Sequence, residues 1–174
     1  INASACGIGT HYISTEDDAF GFAVRQFADF TSIDITKQIT GKVGRDEIST
    51  LITAADHLGG LDSTLWVDDL SEGNRSPDLI VSRVRQMKQR MGTQLVIVDY
   101  IQDLHNDELR GGEDKIKQID YAVRVLDRMA RRENVALILC SQSNRESEKR
   151  DDRSPQLWDM KGCGTLEEKA YTAV

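Results

Sequence analysis

Four short apolar runs alternate with four stretches of helical periodicity along this chain. "THYIST" (10–15), "STLWVDD" (63–69), "QLVIVD" (94–99) and "VALILCS" (135–141) read as strands. Between them, apolar residues recur at helical spacing. Phe20, Val24 and Phe27 mark one helix, and Ile48, Leu51, Ile52, Ala55 and Leu58 mark another that stops at Gly59-Gly60. Ser76-Pro77 supplies a capping hydroxyl and a proline for the first helical position. Ile80, Val84, Met87 and Met91 form the buried stripe that follows, and Gly92 ends it. Ile116, Ile119, Val123, Leu126 and Met129 make the last stripe. Strands that alternate with amphipathic helices predict an α/β fold with a mostly parallel central sheet and helices on both faces. Leu95 to Val98, a continuous apolar run, belongs in the middle of that sheet.

Composition narrows the picture only a little. The 174 residues suit one domain, and 39% hydrophobic with 29% charged residues is ordinary for a globular chain. The net charge of −7 argues against a basic surface throughout, yet a local basic stripe suffices for phosphate contact. Cys6, Cys140 and Cys163 are odd in number and form no Cys-x-x-Cys pair. They read as reduced thiols of a cytoplasmic protein rather than a disulfide frame or a zinc site. His11, His57 and His105 show no ligand spacing. No apolar run approaches the roughly 20 residues of a membrane span, and no stretch reads as a signal peptide.

The candidate chemistry sits where the strands end. In parallel α/β sheets ligands gather at the carboxyl edge. Asp99 ends the third strand, where it either holds a hydrated magnesium ion against nucleotide phosphates or caps a turn. "STEDD" (14–18) places carboxylates after the first strand, one of them a candidate general base for a water attacking phosphorus. Asp17 and Asp18 are equally explained by a helix N-terminus, Glu16 less well. "LCSQSNR" (139–145) ends the fourth strand in hydrogen-bonding side chains; turn chemistry accounts for its Ser and Asn but not for Gln142.

"LVIVDYIQDL" (95–104), "SQSNR" (141–145) and "DMKGCGTLEE" (159–168), in this order and spacing, resemble the RecA-like ATPase domain of DnaB-type replicative DNA helicases. "YISTEDD" (12–18) and "DITKQITGKV" (34–43) fit the same family, so the similarity spans nearly the whole chain, with a phage-like flavour. The resemblance implies an ATP-driven motor that translocates on single-stranded DNA as a hexameric ring, with ATP and Mg²⁺ as cofactors and a primase or helicase loader as further partners. It implies that Asp99 is the Walker B carboxylate holding magnesium through water, Glu16 the general base, and Gln142 the sensor of the γ-phosphate. Lys161, Gly162 and Gly164 would lie on a channel loop that touches DNA phosphates. Glycines let a backbone approach a phosphate and lysine adds a point charge. Lys161 stands where the family usually has arginine, and Gly162 where an acid is common. A plain surface turn is the alternative for "KGCG" (161–164).

Gly-x-x-x-x-Gly-Lys-Ser/Thr occurs nowhere in the chain. By the resemblance, residues 1–9 are the tail of the helix that follows the phosphate loop, and the family's arginine finger lies beyond Val174. Residues 1–174 are therefore expected to be a partial RecA-like helicase ATPase domain, inactive alone and prone to self-association. "HNDELRGGEDK" (105–115) is either a channel loop or an exposed connection, and "NRESEKRDDRSPQLWD" (144–159) reads as a mobile loop. Two other readings stand beside the helicase: a RecA-like ATPase of the recombinase or circadian-clock kind, and a non-catalytic helicase-derived binding module.

Overall fold

The computed structural model describes residues 2–60, 64–105, 115–142 and 164–172. In chain order the elements are α1 (Asn2–Ala5), β1 (Thr10–Ser14), α2 (Ala19–Thr31), α3 (Ile35–Thr40), α4 (Arg45–Gly59), β2 (Leu65–Asp69), α5 (Pro77–Met91), β3 (Leu95–Asp99), a 3-10 turn (Ile101–Asp103), α6 (Lys115–Glu133), β4 (Ala136–Leu139) and α7 (Gly164–Lys169). The four strands form one parallel sheet in the order β2-β1-β3-β4. All four sequence-predicted strands are present, and the parallel α/β expectation holds.

The register decides which residues share a face. Thr10 pairs with Leu95 and Ser14 with both Asp69 and Asp99. One face therefore carries Ile13, Val96 and Val98, all fully buried beneath α5 and α6. Ile80 and Val84 of α5 meet Ile119, Val123 and Leu126 of α6 in that core, and Leu166 of α7 joins them. The opposite face carries Tyr12 and Ser14 with Leu95, Ile97 and Asp99. There α2 lies over β1, and the Tyr12 and Phe22 rings sit 4.7 Å apart. β3 is thus an interior strand, but its burial alternates: Val96 and Val98 are enclosed while Leu95 and Ile97 are half-buried. The continuous apolar run predicted equal burial on both faces, and the described residues enclose one face only.

Local signals explain the helix limits. Ser76 caps α5 by accepting from the Asp78 N–H at 3.2 Å, and Pro77 follows at the first position. Gly92 closes α5 at φ 64°, a left-handed conformation in which glycine is the least strained residue. Gly9 is required for another reason: a Cβ there would lie 3.0 Å from the Gly92 carbonyl oxygen.

Periodicity misplaced part of the buried set. In α4 the core-facing line is Leu51, Ala54 and Leu58, with Ala54 fully buried, whereas Ile48, Ile52 and Ala55 are exposed. Leu51 and Leu58 serve both stripes, so the alanine settles the choice by letting α4 approach α2 closely. Phe20 and Ile116, one at the start and one near the start of their helices, are exposed as well, at 63% and 60%. The short helix α3 carries no periodic signal in the sequence; it is capped by Asp34, which accepts from the Lys37 N–H at 3.1 Å.

One polar cluster lies within the core. His11 is fully buried, and its Nε2 is 2.9 Å from Asp68 Oδ2. Trp66 Nε1 (3.1 Å) and Arg83 (2.8 Å) donate to Asp68 Oδ1. Burial alone would raise the Asp68 carboxyl; the hydrogen bonds from His11 and Trp66 and the Arg83 charge outweigh it and hold the pKa below its ordinary value. A depressed carboxyl contributes stability that is present above about pH 4 and lost as pH falls through the folded value.

Truncating the core and the misassigned stripe should give contrasting results in urea titrations. Leu126→Ala is expected to cost about 2–5 kcal/mol, and Ile52→Ala to stay within about 0.5 kcal/mol. Equal losses would mean that α4 buries the stripe its periodicity predicted.

Candidate active site

Parallel pairing brings every strand's carboxyl end to one edge, and the chemistry lies there. Ser14 of β1 stands between Asp69 of β2 and Asp99 of β3. Thr15, fully buried, continues the pairing beyond the strand: its N–H donates to the Asp99 carbonyl at 2.8 Å. Its hydroxyl accepts from the Tyr100 N–H at 2.9 Å and lies 3.1 Å from the Asp99 and Tyr100 carbonyl oxygens. The Asp99–Tyr100 peptide is cis. Thr15 thereby fixes the backbone on which Asp99 is mounted, and the next residue on its own strand is Glu16.

One side chain then orients the Asp99 carboxylate, and a second lies close to it. The Tyr12 hydroxyl, two residues back on the same face of β1, donates to Asp99 Oδ2. Cys140, just past β4, lies near enough for its thiol to feel the same carboxylate's charge. Burial, reinforced by the Asp99 charge, pushes both acids up: the phenol far above its ordinary value and the thiol above its own. Both stay protonated near neutral pH, and the phenol serves as a donor.

Glu16 is exposed and Asp99 half-buried on the adjacent strand. Gln142 is exposed three residues past β4. Tyr100 joins the group. Burial raises its hydroxyl pKa first, then the charges of Asp103 and Glu16, while its contact with the Gln142 side chain opposes the rise. Glu16, Asp99 and Gln142, expected from three separate strand ends, all lie at this carboxyl edge of the sheet. Asp18 behaves as the plainer reading expected, capping α2 by accepting from Gly21 N–H at 2.6 Å, whereas Asp17 pairs with Arg25 at 2.7 Å.

Among the described residues no cluster of three His, Cys, Asp or Glu side chains could cage a metal ion. The donor set is the single carboxylate of Asp99 with a polar rim. That fits magnesium, which keeps much of its water and takes one or two carboxylates plus phosphate oxygens. Lys161 and Gly162 lie outside the described residues. Gly164 is exposed as the first residue of α7, whose Thr165 and Leu166 are buried, with the Thr165 hydroxyl on Asp120 of α6. Residues 106–114 and 143–163, which hold most of the two other loops predicted from sequence, also lie outside. Sequence reasoning missed Tyr12, Thr15, Cys140 and Gln102. Only Tyr12 left a signal, since it lies on the face and in the register of a strand-end carboxylate.

With this geometry in place, comparison with known proteins identifies the relatives. The model of the DnaB-like helicase C-terminal domain matches residues 2–174, and the chain belongs to that family. It is 27% identical to the replicative DNA helicase DnaB of Leifsonia xyli over 95% of this chain and 35% of that protein. The replicative DNA helicase DnaB of Helicobacter pylori strain J99 is 29% identical, over 93% of this chain and 32% of its own length. The chain thus spans about a third of such relatives. Among solved structures, one described as an ATPase domain superposes with a TM-score of 0.85 and 26% identity, covering 97% of this chain and 59% of that one. A DnaB-like replicative helicase, solved to show its interactions with primase, gives 0.84 and 25%, over 97% and 40%. These matches place the sheet among RecA-like ATPase domains and decide against the recombinase and clock readings. No helix among the described residues is long and apolar enough to cross a membrane.

The Tyr12–Asp99–Cys140 arrangement makes a chemical prediction. At pH 7.5 iodoacetamide should modify the half-buried Cys140 more slowly than the exposed Cys6. Asp99→Asn removes the negative charge and should accelerate Cys140 modification severalfold, read by peptide mass mapping. An unchanged rate would show that the thiol does not feel Asp99.

Proposed function

We propose that this member of the DnaB-like helicase C-terminal domain family is the central part of a ring motor that couples ATP hydrolysis to movement along single-stranded DNA. The convergence of Glu16, Asp99 and Gln142 at one carboxyl edge carries the reading, since three strand ends unrelated in sequence supply a base, a metal-directed carboxylate and a polar sensor. Asp99, held by Tyr12, would hold the water shell of Mg²⁺. When bound with the nucleotide, the ion offsets charge that develops on the phosphates. Glu16 orients and deprotonates the attacking water, a role its solvent access permits. Gln142 contacts the terminal phosphate. Lys161, Gly162 and Gly164 would engage DNA phosphates around the ring, with a primase or a loader as further partners.

Charge supports the magnesium complex rather than free ATP as the ligand. Among the described residues this edge presents Glu16, Asp69, Asp99 and Asp103, and its guanidinium, Arg75, pairs with Asp103 at 3.2 Å. A bare triphosphate meets like charge here, and a cation must neutralise part of it. The backbone amides and lysine of a phosphate loop are absent from this sequence. The 174-residue chain alone should accordingly show no micromolar binding in calorimetry with ATP and Mg²⁺. Micromolar binding would locate a phosphate site elsewhere in the chain; full hydrolytic inertness in a complete ring would instead favour the non-catalytic module.

Two substitutions test the motor in a complete DnaB-type ring that carries this segment. Glu16→Gln should lower ATP turnover by about 10²–10⁴-fold with nucleotide binding retained, and wild-type turnover would remove Glu16 from the chemistry. Lys161→Ala should weaken single-stranded DNA binding about equally for all sequences and reduce the salt slope by roughly one per site engaged. An unchanged slope would return "KGCG" to a surface turn.

A further inference from the structure

Gln102 is 4% exposed, a buried amide in the 3-10 turn directly after β3. Its carboxamide reaches across to the end of β4. Nε2 donates to Ser141 Oγ at 2.8 Å and lies 3.4 Å from the Gln142 carbonyl oxygen, while Oε1 accepts the Gln142 N–H at 3.2 Å. Both ends of one amide thus meet the main chain of one residue. The turn that carries Gln102 is anchored on two sides, by Ile101 N–H to the Cys140 carbonyl at 3.0 Å and by the Asp103–Arg75 pair. Arg75 in turn holds the loop after β2 through the Leu70 carbonyl at 2.9 Å and the Ser71 carbonyl. Gln142 is therefore exposed by its side chain and gripped by its backbone.

An apolar residue would fill this buried position without the cost of desolvating an amide. A glutamine is favourable here only when both of its ends are paired, and its partners belong to Gln142 and the residue before it. We propose that Gln102 is a positioning residue, an amide clamp that fixes the main chain of Gln142 relative to Asp99 so that the Gln142 side chain meets the terminal phosphate at a set place. The proposal rests on the sensor reading of Gln142. It also implies that a shift of Gln142 is felt by the turn.

The first test needs no nucleotide. In the 174-residue chain, amide exchange followed by NMR should show Gln142 N–H protected. Gln102→Leu should raise its exchange by about tenfold, the factor one such hydrogen bond contributes. Cys140 N–H, which donates to the Val98 carbonyl at 2.9 Å, should be unaffected and reports that the sheet is intact. Gln102→Glu keeps the acceptor for Gln142 N–H and should retain most of the protection. Unchanged Gln142 exchange in the leucine variant overturns the clamp. In a complete ring, Gln102→Leu should lower kcat for DNA-stimulated ATP hydrolysis with KM for ATP within about twofold, and Gln102→Glu should recover part of the loss. If Gln142→Ala abolishes turnover while Gln102→Leu leaves it intact, the clamp is overturned and the sensor stands. If Gln142→Ala itself turns over normally, the sensor reading fails and the positioning role fails with it, whatever the exchange data show.

Discussion

The site depends on the parallel pairing of β1 with β3, carried one residue past the ladder by Thr15. Ser14 faces Asp99 in register, and the Thr15 N–H and hydroxyl then take hold of the Asp99–Tyr100 backbone. A parallel pair has evenly spaced, slanted hydrogen bonds, and a slip by one residue would turn Asp99 toward the opposite face. Slippage is opposed from below, where Val96 and Val98 are locked against α5 and α6, and from the other strand face by Tyr12 on Phe22. Packing on one side of the sheet therefore sets the position of a carboxylate on the other.

Because β1 and β3 are neighbours while an entire βα excursion separates them in sequence, closing this pair requires β2 and α5 to be placed on the flank. The His11–Asp68–Arg83 cluster ties them there, joining β1, β2 and α5 beneath the sheet. Buried charge of this kind stabilises only when its hydrogen bonds are made; both Asp68 oxygens are occupied, while the buried Nδ1 of His11 has no hydrogen-bond partner among the described residues. Asp68 pairs in register with Ile13, so the cluster lies on the sheet face opposite the one that carries Asp99. Its contribution to the site is indirect: it holds the strand that presents Asp69 and, beyond it, the Arg75 loop.

Much of this was legible in the sequence, and the reasons differ by element. The four strands were readable because β-branched apolar runs ended in polar residues, and the helices because glycine, serine and proline punctuated them. Glu16, Asp99 and Gln142 were readable because strand order in a parallel fold sends every strand end to one edge, whatever the intervening sequence. The α4 face was not, since Ile48 and Ile52 are more hydrophobic than Ala54, and periodicity weighs side chains by size. Close helix contact instead favoured the small one. Thr15 and Gln102 were invisible for a different reason. Each is an ordinary polar residue whose partners, mostly main-chain atoms, lie at the end of another strand, and no pattern in one chain segment encodes such a pairing.

That difference divides the residues of the edge into two kinds. Thr15 and Gln102 are buried, hold backbone, and each stands next to or beneath a residue whose side chain is exposed, Glu16 and Gln142. Tyr12 acts on a side chain instead, donating to the half-buried Asp99 carboxylate. A group that must meet a ligand cannot spend its own hydrogen-bonding capacity on being held in place, so its position has to be fixed through its main chain or by donors on its far side. The arrangement follows from that requirement. Exposed side chains suited to water and phosphate are mounted on backbone that buried neighbours keep still, and the sheet supplies the common frame against which all of them are registered.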